Sequence, residues 1–249
     1  MNDENSNELE KTWSGFWSGV IWFILGFICL VGAQFVAIVV QAVFEVTQDS
    51  GEINEDRIAE LATDGDTIGL SFLFALPIII GIFAFVVKVR RKQPFFKFIG
   101  FQQVELKIVG IWMLYAIAFF IVVYLCDLIF NHPSPEWMLA AYNSSDHVWL
   151  FCLSVAVLGP LAEELMFRGY IMKVWAESTI GPNIATILVS LAWAGIHLQY
   201  GLYDMTIIFG LGIILCASRL RTNSIIPAIV IHVCWNTICV IMLVLHNAT

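Results

Sequence analysis

Charge is what this chain has least of: 13% of its 249 residues are Asp, Glu, Lys or Arg, 59% are hydrophobic, and the mean hydropathy is +0.84. Soluble domains carry about a quarter charged residues, so a globule surrounded by water is excluded. Paired cysteines are missing from polar loops. Cys29, Cys126, Cys152, Cys216, Cys234 and Cys239 all lie inside apolar runs, where they read as small buried hydrophobes rather than as disulfide or metal partners. The N-terminal segment lacks the basic start and the small-residue cleavage site of a secretory signal, and its apolar stretch is too long for a signal core. It is expected to stay attached as a membrane anchor. There is no internal repeat, no low-complexity linker and no His-Glu-x-x-His helix of the kind that makes a bound metal the default. Nothing suggests a nucleic-acid partner.

What is present in quantity is apolar sequence of bilayer length. Runs at about 17–44, 67–87, 108–130, 147–172, 183–198, 204–218 and 224–245 predict an all-α polytopic transmembrane helix bundle. The expected number of spans is about seven, with six to eight allowed because the fifth and sixth runs are short and can tilt, break or merge. Residues 1–16 read as an N-terminal tail and residues 17–249 as one membrane domain, in the lipid bilayer of a bacterial plasma membrane.

The few charges are unevenly placed. Lys88, Arg90, Arg91, Lys92, Lys97 and Lys107 crowd the loop after the second run, and Arg219 and Arg221 follow the sixth. With Lys11 and Lys173, ten of the twelve Lys and Arg residues fall on one side of a seven-span layout. That side is expected to be the cytoplasm, with the N-terminus inside and the C-terminus outside. The net charge of −8 comes from the front of the chain, since residues 1–66 hold twelve acidic and two basic side chains. The acidic run from Glu45 to Asp66 reads as a solvated external loop, and Asn131-His132-Pro133-Ser134-Pro135 as an external turn.

Against this background, charges inside an apolar run stand out. Glu163, Glu164 and Arg168 lie within the fourth run, where each charge costs about 2.5–3.5 kcal/mol at a helix centre on insertion scales. Adjacent residues on a helix point about 100° apart, whereas residues four apart share a face, so Glu164 and Arg168 can pair and leave Glu163 to face something else. His197 ends the fifth run, and His232 and Asn236 stand one turn apart in the seventh. A lone intramembrane His or Asn usually makes a helix-to-helix hydrogen bond, and a Glu–Arg pair can be a neutralised structural bridge. Their occurrence together on three helices points to a shared polar site. Cutting a peptide bond in a membrane requires a water made nucleophilic and donors for the oxyanion of the tetrahedral intermediate, and a carboxylate, imidazoles and an amide supply both. A nearby guanidinium favours the ionised carboxylate against the effect of burial. The same residue types also serve proton relays, so a proton- or ion-coupled transporter stays open beside an enzyme, as does a non-catalytic scaffold or immunity protein. The transporter reading lacks the inverted repeats or paired broken helices expected of that class.

The motifs resemble those of the CPBP family of membrane endopeptidases, which includes type II CAAX prenyl proteases and bacteriocin-processing or immunity proteins. Its three motifs are matched by Glu163-Glu164 with Arg168, by Trp193 with His197, and by His232 with Asn236. The likeness covers about 147–240, and Trp193 stands where the family usually has Phe. The resemblance implies an all-helical intramembrane protease acting on a membrane-associated protein or peptide, its site opening toward the cytoplasmic half of the bilayer. Glu163 would activate water with His197 as partner, His232 and Asn236 would stabilise the oxyanion, and Glu164 and Arg168 would support them. Both a metal-free glutamate mechanism and a divalent metal such as zinc are compatible with it, the ligands in the second case being Glu163, His197 and His232. The layout carries one strain: with a fifth helix starting at about 183, His197 lies roughly 20 Å along it at ~1.5 Å per residue, past the midplane, whereas Glu163 is near mid-membrane.

Overall fold

A computed structural model describes residues 3–48, 54–132 and 136–247, with side chains from Ser14 onward. Pro133, Ser134 and Pro135 of the expected turn, residues 49–53 of the acidic run and the Lys11 side chain lie outside the described residues. Every element among those described is helical, with no strand. In chain order they are α1 (Asp3–Thr47), α2 (Glu55–Thr63), α3 (Gly65–Val86), α4 (Phe95–Phe98), α5 (Leu106–Phe130), α6 (Glu136–Ser144), α7 (Val148–Ala176), α8 (Gly181–Gly195), α9 (Leu202–Thr222) and α10 (Ile226–Asn247).

Six of these, α1, α3, α5, α7, α9 and α10, are long and apolar enough to cross a membrane. The expected fifth span is α8, whose 15 residues extend only ~22 Å at ~1.5 Å per residue, less than the ~30 Å hydrocarbon layer. Its start is set by Gly181, at φ +70, and by Pro182 in the first turn, a residue that needs no N–H there. The helix α7 is not uniform. Wider π-helical turns at Ser154–Leu158 and Leu165–Ile171 interrupt it. Pro160 cannot donate to the carbonyl four residues back, and the turn before it widens accordingly.

The chain divides into two compact units. The first comprises Met1–Gly26, Ile82–His132 and Glu163–His232. Its core gathers aromatic rings around Tyr170, with Phe83 at 4.8 Å, Phe98 at 5.4 Å and Trp22 at 6.2 Å between centroids. Within it α8 and α9 approach closely: a Cβ on Gly212 would stand 3.0 Å from that of Ser190, the close approach that small residues permit between membrane helices.

The second unit comprises Phe27–Gly81, Pro133–Ala162 and Val233–Thr249. Its core is formed by Ala141, Phe151, Val155, Ala156, Val240 and Leu243. Ser154 donates its hydroxyl to the Gly69 carbonyl at 2.8 Å, fastening α7 to α3. Arg57 of α2 pairs with Glu45 at 2.5 Å and Glu60 at 2.8 Å, and these partners hold its guanidinium firmly protonated. The described part of the acidic run thus includes a capped helix with an ion-paired face, not an unstructured loop.

Candidate active site

The first unit brings Glu163, Glu164 and Arg168 of α7 against Trp193 of α8, His197 just beyond α8, and His232 of α10. Arg168 donates from Nη1 to Glu164 Oε1 at 2.9 Å, with both side chains fully buried. The pairing expected from the four-residue spacing is therefore present. Glu164 Oε1 also meets His232 Nδ1 at 2.9 Å. An ionised carboxylate accepts, so Nδ1 carries the proton and His232 is oriented by Glu164. The pair is one-sided, because Glu164 Oε2 and Arg168 Nε are buried with no hydrogen-bond partner among the described residues.

Glu163 faces elsewhere, as expected from its place on the helix. Its Oε2 accepts the indole N–H of Trp193 at 2.5 Å. Trp193 is 2% exposed and also meets Arg168, His197 and His232. The Arg168 guanidinium lies 4.3 Å from its ring centroid, and the His197 and His232 rings meet it edge-on at 5.4 and 5.0 Å. His197 Nδ1 lies 2.7 Å from the Trp193 carbonyl. A carbonyl can only accept, so Nδ1 is the protonated nitrogen of His197 too. The depth mismatch expected between Glu163 and His197 is absent: the short α8 brings its last turn to the level of Glu163, where Trp193 bonds directly to the carboxylate.

Asn236 belongs to the second unit, where its amide Nδ2 donates to the Val155 carbonyl at 2.9 Å. Val155 lies in the first π-helical turn of α7, where a disturbed backbone ladder leaves carbonyls for side chains. One of the two amide N–H groups is thereby committed to joining helices.

Glu163, His197 and His232 are the residues that would hold a divalent metal. Both imidazoles have the tautomer that ligation through Nε2 requires, yet no three His, Cys, Asp or Glu side chains among the described residues are placed to hold one ion. Glu163 gives an oxygen to Trp193 instead.

Two contributors were not legible as such. Trp193 reads from sequence as a conservative stand-in for Phe, and the signal that separates them is the indole N–H, which Phe lacks. Arg219, expected among cytoplasmic loop cations, is instead 5% exposed inside α9. Its Nε donates to the Arg168 carbonyl at 3.2 Å and its Nη1 to Asn223 at 3.1 Å. The acceptor at Arg168 lies in the second π-helical turn. Gly100, at φ +74, leaves room for this contact, since a Cβ there would stand 2.8 Å from the Arg219 guanidinium.

Residues 145–238 match the family described as type II CAAX prenyl endopeptidase Rce1-like. That segment contains all three motifs, and the match supports membership of the CPBP family of membrane endopeptidases. An uncharacterized 24.3 kDa protein of Escherichia coli is 28% identical over 134 residues, covering 51% of this chain. The match spans 62% of that relative's length, less than two thirds. No solved structure matches the chain. Six apolar helices and this family together make the protein integral to a membrane.

Proposed function

We propose that the protein is an intramembrane endopeptidase that cuts a peptide bond of a membrane-associated protein or peptide. One observation carries the reading above the others: Glu163, His197 and His232 all lie against the buried ring of Trp193. The family match over residues 145–238 supports the reaction class.

In the proposed reaction a water gives a proton to the Glu163 carboxylate, and the hydroxide so formed adds to the scissile carbonyl carbon. The proton then passes to the departing amine nitrogen as the C–N bond breaks. His197, with Nδ1–H held by the Trp193 carbonyl, keeps the lone pair of Nε2 to accept a hydrogen bond from that water. His232 in its imidazolium form presents Nε2–H to the oxyanion while Glu164 holds its other nitrogen. Arg168 pairs with Glu164 and so steadies the carboxylate that orients His232. No step passes through a metal or a bound cofactor. The N-terminus is cytoplasmic in this reading, following the basic residues after α3.

The test is to compare membrane peptides from cells producing wild-type protein with those producing Glu163→Gln. Specific fragments are expected to vanish, and turnover of the corresponding purified substrate to fall by about 10²–10⁴, the usual share of a general base. Identical peptide sets, with both proteins folded in the membrane, overturn the proposal.

A further inference from the structure

We propose that the indole N–H of Trp193 is the positioning donor of the site, fixing one oxygen of Glu163 so that the other is presented to the attacking water. The inference deepens the protease reading above and rests on it. Glu163 is 8% exposed, and a buried carboxylate oxygen without a donor is costly and turns to find one. Among the described residues the hydrogen bond its carboxylate makes is to Trp193 Nε1, at 2.5 Å from Oε2, and none is made there by Oε1. The carboxylate is therefore asymmetric: one oxygen is anchored, and one keeps its lone pairs for a proton.

The choice of donor has a chemical logic. A lysine or arginine in this place would form an ion pair with Glu163 and compete with the water proton for the same carboxylate. An indole is neutral, rigid and a donor only, so it can hold the base without neutralising it. The guanidinium nearby is kept off Glu163. Arg168 Nη1 is bonded to Glu164 at 2.9 Å, and its Cζ lies 4.3 Å from the Trp193 ring centroid. A cation over the ring face draws electron density from the indole and strengthens its N–H as a donor. Arg168 thus acts on Glu163 through the Trp193 ring. The same ring sets both imidazoles edge-on, so the indole fixes the mutual placement of the base and its partners. A Phe at 193 would preserve the packing and lose the anchor.

Trp193→Phe removes the donor and keeps an aromatic ring. Replacing Trp193 with 3-benzothienylalanine keeps the whole bicyclic shape, with sulfur in place of N–H, and serves if the Phe variant folds poorly. The first readout needs no substrate. The infrared carboxylate band of Glu163, isolated by difference against Glu163→Gln, is expected to move in both variants, and an unmoved band overturns the proposal. The second readout uses a fluorogenic peptide spanning a cleavage site found in the membrane-peptide comparison. Its kcat is expected to fall between about tenfold and about a hundredfold, as for a misplaced reacting group, with KM unchanged. Unchanged kcat, or a loss confined to KM, overturns the positioning role. If Glu163→Gln itself cleaves like wild type, it is the protease reading that fails. If Glu163→Gln is inactive and Trp193→Phe is fully active, the protease reading stands and the indole assignment alone falls.

Discussion

The molecule contains the same bond twice in opposite surroundings. In the first unit Glu164 meets His232 at 2.9 Å, with side-chain exposures of 0% and 4%. In the second, Asp66 meets His147 at 2.8 Å, with exposures of 8% and 63%. The distances are equal within a tenth of an ångström, so geometry does not distinguish the pairs. Solvent does. The buried pair has no water to take over if a partner is lost, and Arg168 is recruited to balance it. The outer pair is built differently: Asp66 accepts from the Ser145 hydroxyl at 2.5 Å, from the His147 backbone N–H at 2.8 Å and from the His147 ring. This is a local fastening of the α3 start to the entry of α7, half open to water. An acid–imidazole contact thus stands alone where water can reach it and gains a third, balancing charge where the protein interior excludes water.

Breaking the buried side of the comparison should have the largest effect. Arg168→Ala leaves Glu164 in the interior with His232 alone as its partner and is expected to lower stability by about 3–5 kcal/mol, read as a fall in the unfolding midpoint in detergent. A variant as stable as wild type would contradict the pairing argument. Asp66→Ala removes an acceptor shared by three donors but leaves them close to water, so a loss of about 1–3 kcal/mol is expected, with cleavage by the solubilised enzyme largely retained. Equal losses for the two variants would erase the distinction between the pairs.

The smallest effect is a pH dependence confined to the outer pair. Hydrogen bonding and attraction to Asp66 hold the His147 pKa above its ordinary value. A raised histidine pKa contributes stability that is fully present below the unfolded value of about 6.5 and is lost as pH rises through the folded value. The melting temperature of wild type is therefore expected to decline slightly on that rise, and His147→Ala to flatten the decline. Persistence of the same slope in His147→Ala would assign it to another group.

How much of this was readable in advance follows the range of the interactions. The apolar runs and the Glu164–Arg168 pair are local, set by hydropathy and by a four-residue repeat, and both were legible. The meeting of Glu163 with Trp193 joins residues 30 apart. Motif order suggested a common site, but only the fold could show that the aromatic supplies a hydrogen bond. Asp66 lies about 80 residues from Ser145 and His147, and nothing in the intervening sequence announces their meeting. The burial of Arg219 is not readable from its place after the sixth apolar run. Here the π-helical turn at Leu165–Ile171 supplies an acceptor that draws it inward. The six long apolar helices fall at the lower end of the six to eight allowed because of α8, which is largely apolar and starts at Gly181 but stops at Gly195, short of the expected end near 198.

That brevity has a bearing on hydration. A helix of ~22 Å cannot bring both ends to the two aqueous surfaces of a hydrocarbon layer ~30 Å thick, and carbonyls released at a helix end cannot be left facing lipid. His197 covers one of them at Trp193. Satisfying the remainder with solvent requires the bilayer to thin or water to penetrate beside α8. In the proposed hydrolysis the element too short to cross would thereby admit the water that the reaction consumes.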